Sequence, residues 1–310
     1  MPSSPSSADD LSGPSEGRVV SGHGRRLLVE SDDGTRILCH TRGKKSDAVV
    51  GDRVRWQISG DEGVIDAILP RVNLLYRQDE WKTKAFAANI DQLLVVVAAE
   101  PVFSESQLSR ALIAAADAQI ATRIVLNKRD LPAFAAARER LQPYAAMGVD
   151  VLELALKRDG AEAHACLAPL LAGQATLVLG PSGAGKSTLV NLMVADAKAQ
   201  IGEISQALNT GRHTTTSTQW YWLDAARTSA LIDSPGFQEF GLRHIDAGRL
   251  AALMPDIAAH ATACRFYNCT HLHEPGCGVL AALERGEIAP SRHRIYAEIF
   301  AELQPRSGAP

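Results

Sequence analysis

The sequence predicts a multidomain protein with a small β-barrel, an α/β doubly wound domain and an α-rich C-terminal region. Three observations support this fold class. Short β-like segments fill residues 17–72, strands alternate with helices over residues 73–242, and cysteines cluster within residues 243–310. Residues 1–16 are rich in serine and proline without an apolar stretch, so we expect a disordered lead.

The bulk composition is that of an ordinary globular chain. Of 310 residues, 46% are hydrophobic and 22% are charged, and the net charge is −3. A nucleic-acid partner would therefore be met by a local basic patch. No apolar run has the length of a membrane span, so we expect no membrane partner. We place the protein in the cytoplasm and expect a monomer.

The first domain is predicted to be a barrel of five short strands, with the OB-fold as the leading candidate. Lysine and arginine outnumber aspartate and glutamate by 13 to 10 over residues 17–85, which permits contact with RNA. The alternative is a β domain that only packs on its neighbour. The predicted strands are residues 18–20, 26–29, 36–39, 53–58 and 64–69.

The second domain is predicted to contain a parallel sheet with helices on both faces, because short apolar runs alternate with helical stretches. The apolar runs are residues 93–98, 123–126, 149–154 and 176–179. The helical stretches are residues 106–118, 133–145 and 163–171. Two further helices are predicted at residues 248–259 and 292–303, on either side of the cysteine cluster.

A phosphate-binding loop follows the last of these apolar runs. The pattern G-x4-G-K-S begins at Gly180 and ends at Lys186 and Ser187, where a helical stretch begins. Its glycines let backbone N–H groups face one anion, its lysine reaches the β- and γ-phosphates, and its serine binds Mg²⁺. The predicted nucleotide contacts here are Gly180, Ser182, Gly183, Ala184, Gly185, Lys186, Ser187 and Thr188.

A guanine-recognition box, N-K-x-D, occupies Asn127-Lys128-Arg129-Asp130 at the end of a predicted strand. Asp130 can accept both N1–H and N2–H2 of guanine, whereas adenine would leave this carboxylate without a partner. Asn127 would tether neighbouring loops, and the Lys128 stem would cover the ring. An ATP-dependent enzyme is the alternative that Asp130 argues against.

A D-x-P-G box, from Asp233 to Gly236, follows another apolar strand. Asp233 would hold a water of the Mg²⁺ shell, and the Gly236 N–H would contact the γ-phosphate. The threonine-rich loop before it predicts the remaining Mg²⁺ ligand, either Thr214 or Thr215.

Catalysis needs a group that orients the attacking water. Phe237 stands after the D-x-P-G box, where many GTPases place a glutamine, and phenylalanine cannot do this. His213 is our candidate for orienting water or accepting its proton, with Lys186 and Thr215 completing the catalytic set. The alternative is that His213 only orders its loop.

The order of the motifs is rotated. N-K-x-D precedes the phosphate loop by 50 residues, and D-x-P-G comes last, whereas small GTPases place N-K-x-D last. The sequence therefore predicts a P-loop GTPase domain in circularly permuted order.

A metal site is predicted in the C-terminal region. Cys264, Cys269, His271 and Cys277 offer four ligands within 14 residues, and His273 competes with His271. Zn²⁺ prefers four tetrahedral nitrogen and sulfur ligands, so a closed set of this kind indicates one structural zinc.

Together these motifs resemble the ribosome small-subunit-dependent GTPase A family, over nearly the whole chain after residue 16. The resemblance also includes Val50-Gly51-Asp52-Arg53-Val54, Gly211-Arg212-His213 and Glu274-Pro275-Gly276. It implies an OB-fold, a permuted GTPase domain and a zinc domain. It further implies a late assembly factor that binds GTP or GDP, the small ribosomal subunit and its rRNA, with subunit-stimulated hydrolysis coupled to its release. The alternative is a GTP-gated rRNA-binding checkpoint protein in which hydrolysis is secondary.

The chain departs from the family in the loop that caps guanine O6. The family usually has serines there, whereas this chain reads Leu154-Ala155-Leu156-Lys157. Since the O6 contact normally uses a backbone N–H, Ala155 could still provide it.

Overall fold

A closed five-stranded barrel begins the fold in the computed structural model, which describes residues 14–23, 25–42, 47–78, 83–194, 218–234 and 242–304. Its strand order is β1-β2-β3-β5-β4, and pairing of β1 with β4 closes it. Only β3 and β5 pair in parallel, so the predicted OB-type barrel is confirmed. The strands are β1 (Ser15–His23), β2 (Arg26–Ser31), β3 (Arg36–Thr41), β4 (Arg53–Ser59) and β5 (Glu62–Ile68).

A two-stranded hairpin that the sequence did not predict connects the barrel to the rest of the chain. It consists of β6 (Leu74–Gln78) and β7 (Thr83–Ala88), which pair in antiparallel. The hairpin touches the barrel at a bridge between Val50 and Ala87. Gly51 stands beside this contact with φ +93°, where a Cβ atom would lie 2.0 Å from the Ala88 carbonyl oxygen. Glycine is required there because the two backbones approach so closely.

A parallel sheet forms the central domain, in the order β10-β9-β8-β11-β13, with β12 antiparallel at its edge. The interior strand β8 is buried along its whole length because both faces of the sheet are covered, whereas the edge strand β10 is half-buried or exposed. Its strands are β8 (Gln92–Ala98), β9 (Ala121–Asn127), β10 (Asp150–Glu153), β11 (Ala175–Leu179), β12 (Gln219–Trp222) and β13 (Ala230–Asp233).

Helices cover the two faces of this sheet, as the alternation in the sequence predicts. In β8, Leu93, Val95 and Val97 face one hydrophobic core, and the residues between them face the other. The first core includes α1 (Glu105–Asp117) and α2 (Phe134–Ala146), and the second includes α3 (Gly160–Leu171) and α4 (Lys186–Met193). The predicted doubly wound arrangement is therefore present.

The C-terminal region is helical, but the single helix predicted at residues 248–259 is wrong. Two short 3-10 turns, Ala247–Arg249 and Ala251–Leu253, precede α5 (Pro255–Ala261). Pro255 explains the break, because a proline disfavours helical backbone in the residue before it, and Met254 is extended there. The helix α6 (Gly278–Glu284) was not predicted, whereas α7 (Pro290–Leu303) matches the prediction for residues 292–303.

A buried arginine joins the C-terminal helices to the central domain. The side chain of Arg292 is 3% exposed and pairs with Asp256 at 2.7 Å. Its guanidinium also donates to Ser109 Oγ at 2.7 Å and lies 5.0 Å from the centre of the Tyr144 ring. α5 and α7 are thereby fixed against α1 and α2.

None of the helices in the described part of the chain is long and apolar enough to cross a membrane.

Candidate nucleotide site and metal centre

The predicted phosphate loop connects β11 to α4 at the carboxyl edge of the parallel sheet. The first intrahelical bond of α4 runs from Leu189 N to Gly185 O at 2.9 Å. The N–H groups of Lys186, Ser187 and Thr188 precede it and so have no partner within the helix. Ser182, Gly183 and Ser187 are exposed on this loop, and Ala184 is buried beneath it. The arrangement suits an anion, because free N–H groups and the positive helix end coincide.

The glycines of the loop are required by close contacts. At Gly180, φ is +154° and a Cβ atom would lie 2.0 Å from the Val96 carbonyl oxygen. At Gly185, φ is +114° and a Cβ atom would lie 2.2 Å from Asn127 Nδ2. The loop therefore presses on both β8 and the base box, and any side chain at these two positions would push it away.

Asn127 connects three parts of the site. Its Nδ2 donates to the Ala184 carbonyl at 2.8 Å, within the phosphate loop. Its Oδ1 accepts from the Leu156 N–H at 3.0 Å, in the loop that the sequence assigns to guanine O6. The side chain is buried, so both bonds lie out of water. This tether confirms that the motifs, though 50 residues apart in sequence, meet at one sheet edge.

The other two residues of the base box lie beyond the strand end. Lys128 has φ +66°, and its ammonium group donates to the Glu100 carbonyl, so its stem crosses the loop after β8. Asp130 is exposed and free to accept from a ligand. Ala155 is buried beside Leu156, in the loop that the sequence predicts to cap guanine O6.

Lys186 and Asp233 form the charged centre of the site. The Lys186 ammonium donates to the carbonyls of Gly180 and Pro181 at 2.7 and 3.0 Å. Asp233 ends β13 and is buried. Burial raises the pKa of Asp233 to about 6, although the positive charge of Lys186 acts in the opposite direction. Burial lowers the pKa of Lys186, and Asp233 opposes that shift. Burial therefore disfavours the charged form of both groups, while each group favours the charged form of the other.

Several predicted residues lie outside the described part of the chain. They are His213, Thr214, Thr215, Gly236 and Phe237. Their assigned roles therefore stay predictions. Thr188, by contrast, lies in the first turn of α4, half-buried beside Ser187.

The predicted metal ligands come together in the C-terminal region. The ligand atoms of Cys264, Cys269, His271 and Cys277 all lie within 4.8 Å of one another. Cys264 Sγ is 3.8 Å from Cys277 Sγ, and His271 Nδ1 is 3.4 and 3.6 Å from these two sulfur atoms. A tetrahedral zinc with ordinary bond lengths would separate two sulfur ligands by about 3.8 Å, and a sulfur and a nitrogen by about 3.5 Å. The distances fit, so the cluster could hold zinc.

The choice between the two histidines is settled by geometry. His271 is buried among the cysteines with φ +62°, whereas His273 is exposed and outside the cluster. His271 uses Nδ1 toward the cysteines. Its carbonyl lies 2.8 Å from His293 Nε2, so α7 supports the backbone of the ligand.

Glu274 is a supporting residue whose role the sequence reasoning missed. Its Oε1 accepts from the Thr270 N–H at 2.8 Å, and its Oε2 accepts from the N–H groups of Leu272 and His273 at 3.3 Å. The carboxylate therefore holds the loop that carries Cys269 and His271. The adjoining Pro275-Gly276 turn was the available signal, because such a turn brings the preceding residue back onto its own loop.

Two aromatic rings project from the metal loop, which is the segment of residues 264–277 that carries the four predicted ligands. Tyr267 is fully exposed at 104%, and Phe266 is 41% exposed. The guanidinium of Arg265 lies 5.5 Å from the centre of the Phe266 ring. An exposed aromatic and cationic surface of this kind is suited to contact with a partner.

Comparison with known proteins gives close relatives along most of the chain. The small ribosomal subunit biogenesis GTPase RsgA of Variovorax paradoxus is 62% identical over 93% of this chain and 92% of its own length. The protein of the same name from Burkholderia pseudomallei is 56% identical, with the same coverage of both chains.

Solved structures agree with this comparison. YjeQ from Thermotoga maritima matches with a TM-score of 0.68 at 32% identity, covering 94% of this chain and 99% of that one. YloQ, described as a circularly permuted GTPase, matches with a TM-score of 0.67 at 26% identity, covering 97% and 100%.

The family assignment follows from the site and from these matches together. The family model for the RsgA GTPase matches residues 68–243, more than half of the chain. That segment contains the base box, the phosphate loop and Asp233, in the rotated order. The chain therefore belongs to the RsgA GTPase family, and it is a GTP-hydrolysing enzyme whose motifs stand in circularly permuted order.

Proposed function

We propose that this chain acts in late maturation of the small ribosomal subunit, and that the subunit stimulates its GTP hydrolysis and hydrolysis releases it. The observation that carries the proposal is the identity of 62% and 56%, over 93% of the chain, to enzymes named for biogenesis of that subunit. The barrel, the permuted GTPase fold and the helical region with its cysteine cluster support this role, and we propose domain boundaries at residues 17–72, 73–242 and 243–310.

The nucleotide contacts proposed here follow the geometry of the sheet edge. Asp130 selects guanine, Asn127 joins the base and phosphate loops, and the Ala155 N–H contacts guanine O6. The Lys128 stem covers the ring. The phosphates lie against the loop N–H groups, with Gly236 contacting the γ-phosphate. The phosphate-loop residues are Gly180, Ser182, Gly183, Ala184, Gly185, Lys186, Ser187 and Thr188.

Magnesium would be held beside the γ-phosphate. Ser187 and either Thr214 or Thr215 are the proposed direct ligands, and Asp233 holds a water of its shell. Lys186 offsets the phosphate charge. His213 is the proposed group that orients the attacking water, because Phe237 cannot do so.

Zinc is the metal that we propose for the C-terminal cluster. Three thiolates and one imidazole nitrogen, spaced as observed, match a closed structural zinc site. The ion would hold the loop that presents Tyr267. Because four positions are filled, this metal performs no hydrolysis.

An rRNA partner is supported by two surfaces. The metal loop presents Arg265, Phe266 and Tyr267 to solvent, and unpaired bases stack readily on such rings. The barrel segment carries a small excess of positive charge. A cytoplasmic location and a monomeric state remain predictions.

GTP turnover with and without purified small ribosomal subunits tests the proposal. We expect stimulation by small subunits and none by large subunits, together with co-sedimentation that is stronger with a non-hydrolysable GTP analogue than with GDP. Equal turnover in all conditions and no co-sedimentation would refute the proposed partner. Nucleotide-dependent binding without stimulation would favour the checkpoint alternative.

A further inference from the structure

The edge strand β12 is shared between the nucleotide domain and the barrel. On one side it pairs with β13 in antiparallel over four residues, which places Gln219 opposite Asp233. On the other side Gln219 is opposite Ser21 of β1, where the barrel joins the large sheet. One residue of β12 therefore lies between the buried carboxylate of the nucleotide site and the wall of the barrel.

A stacked arginine reinforces this junction. The guanidinium of Arg18, from β1, lies 4.4 Å from the centre of the Trp220 ring and 5.9 Å from that of Trp222. Arg18 also donates to the Gly51 carbonyl at 3.1 Å. One side chain of β1 therefore contacts both β12 and the segment where the barrel meets the hairpin. Trp220 is 1% exposed, and a cation–π contact is strongest in such a desolvated place.

Glu30 of β2 makes a second connection across the junction. Its Oε1 accepts from Trp222 Nε1 at 2.6 Å, and its Oε2 accepts from Arg36 Nε at 2.7 Å. Arg227, in the turn between β12 and β13, approaches the same carboxylate at 3.7 Å and donates to the Asp32 carbonyl at 3.1 Å. Glu30 is 4% exposed, so its charge is compensated by protein groups and not by water.

We infer that the position of the barrel and the state of the nucleotide site are energetically coupled through β12, with Glu30 and Arg18 as positioning residues. This inference rests on the proposed function only in taking the barrel to contact the ribosomal subunit. A shift of Asp233 on ligand binding moves its partner Gln219 and hence Ser21, because packed elements move as units. By linkage, a subunit that selects one barrel position changes nucleotide affinity by the same factor.

The first test needs no ribosome. Amide hydrogen exchange of the full-length protein is compared with GDP and with a non-hydrolysable GTP analogue, both with Mg²⁺. We expect protection to differ between the two nucleotides in β13, β12 and β1. A difference in β13 that stops before β1 would overturn the coupling.

The second test uses Trp222→Phe, which keeps an aromatic side chain, replaces the indole by the smaller phenyl ring and removes the N–H that reaches Glu30. Trp56→Phe is the matched control, because Trp56 lies in the barrel and its Nε1 has no hydrogen-bond partner among the described residues. The measured quantity is the ratio of the subunit dissociation constants with GDP and with the GTP analogue. In Trp222→Phe we expect this ratio to move toward one by a factor of about five or more. In Trp56→Phe we expect the same ratio as in the wild type.

The outcomes separate this inference from the proposed function. An unchanged ratio in Trp222→Phe, or the same loss in Trp56→Phe, overturns the route through Glu30. A wild-type ratio of one overturns the coupling itself. If small subunits do not bind at all, the proposed function fails, and the hydrogen-exchange comparison still decides whether β12 links the nucleotide site to the barrel.

Discussion

Single side chains decide which nucleotide the site accepts, and Asp130 is the one that distinguishes guanine. Asp130→Asn removes an acceptor for the guanine N2–H2 group, so we expect GTP affinity to fall by at least about 100-fold. The new amide can donate to the O2 atom of xanthine, so xanthosine triphosphate should bind the variant better than the wild type. Titration with both nucleotides checks this. Unchanged GTP affinity would contradict the assignment of the base box.

Asp233 gives a prediction about pH. Because its pKa is raised from 3.8 to about 6, the nucleotide-free fold binds a proton at Asp233 more tightly than the unfolded chain does, and this contribution to stability is lost as pH rises through 6. We expect Asp233→Asn to raise the free energy of unfolding at pH 8 by on the order of 1 to 3 kcal/mol, and by about half as much at pH 5.

Urea unfolding without nucleotide or Mg²⁺ measures this effect. The same variant should lose GTP hydrolysis, because an amide holds the Mg²⁺ shell poorly. A variant that is less stable than the wild type at pH 8 would show that the Asp233 charge stabilises the fold through Lys186.

At the scale of elements, we expect the loop of residues 264–277 to depend on its four proposed zinc ligands. Cys277 also accepts from the Leu280 N–H at 3.5 Å, so it caps α6 as well. We expect Cys277→Ser to bind zinc much more weakly and to lower the melting temperature, because binding energy at a structural zinc site is folding energy. Zinc content by mass spectrometry of the native protein, and thermal unfolding with and without a chelator, check this.

Cys166→Ser is the control for the metal prediction. Cys166 lies half-buried in α3 and outside the cluster. It should keep one zinc per chain and the wild-type response to chelator. Equal zinc content in Cys277→Ser and wild type would contradict the ligand assignment.

The elements that the sequence predicted correctly are those with strong local signals. The strands β8, β9 and β11 are short apolar runs, and such runs form buried strands because both faces are covered. The hairpin β6–β7 and the strand β12 were missed, because their residues become buried only through contacts with distant segments. The single helix predicted at 248–259 is wrong because Pro255 disfavours helical backbone at Met254.

At the scale of the whole molecule, Arg292 determines how the metal domain is held. Arg292→Met leaves Asp256 without its partner and removes the bond to Ser109. We expect a loss of about 3 to 5 kcal/mol, as for other broken buried pairs. Arg294→Met is the control, since Arg294 is 70% exposed and its pair with Glu298 at 3.8 Å should contribute less than about 1 kcal/mol. Chemical denaturation of both variants checks the difference, and equal losses would contradict it.

The sequence by itself determined the chemistry of this protein. The phosphate loop, the base box and the cysteine cluster are short segments whose residue types and spacing already predict their ligands without a fold. Only the tertiary structure showed that Asn127 ties the base box to the phosphate loop, and that β12 joins Asp233 to the barrel. These contacts link residues far apart in sequence, and they depend on strand order and packing, which no local pattern records.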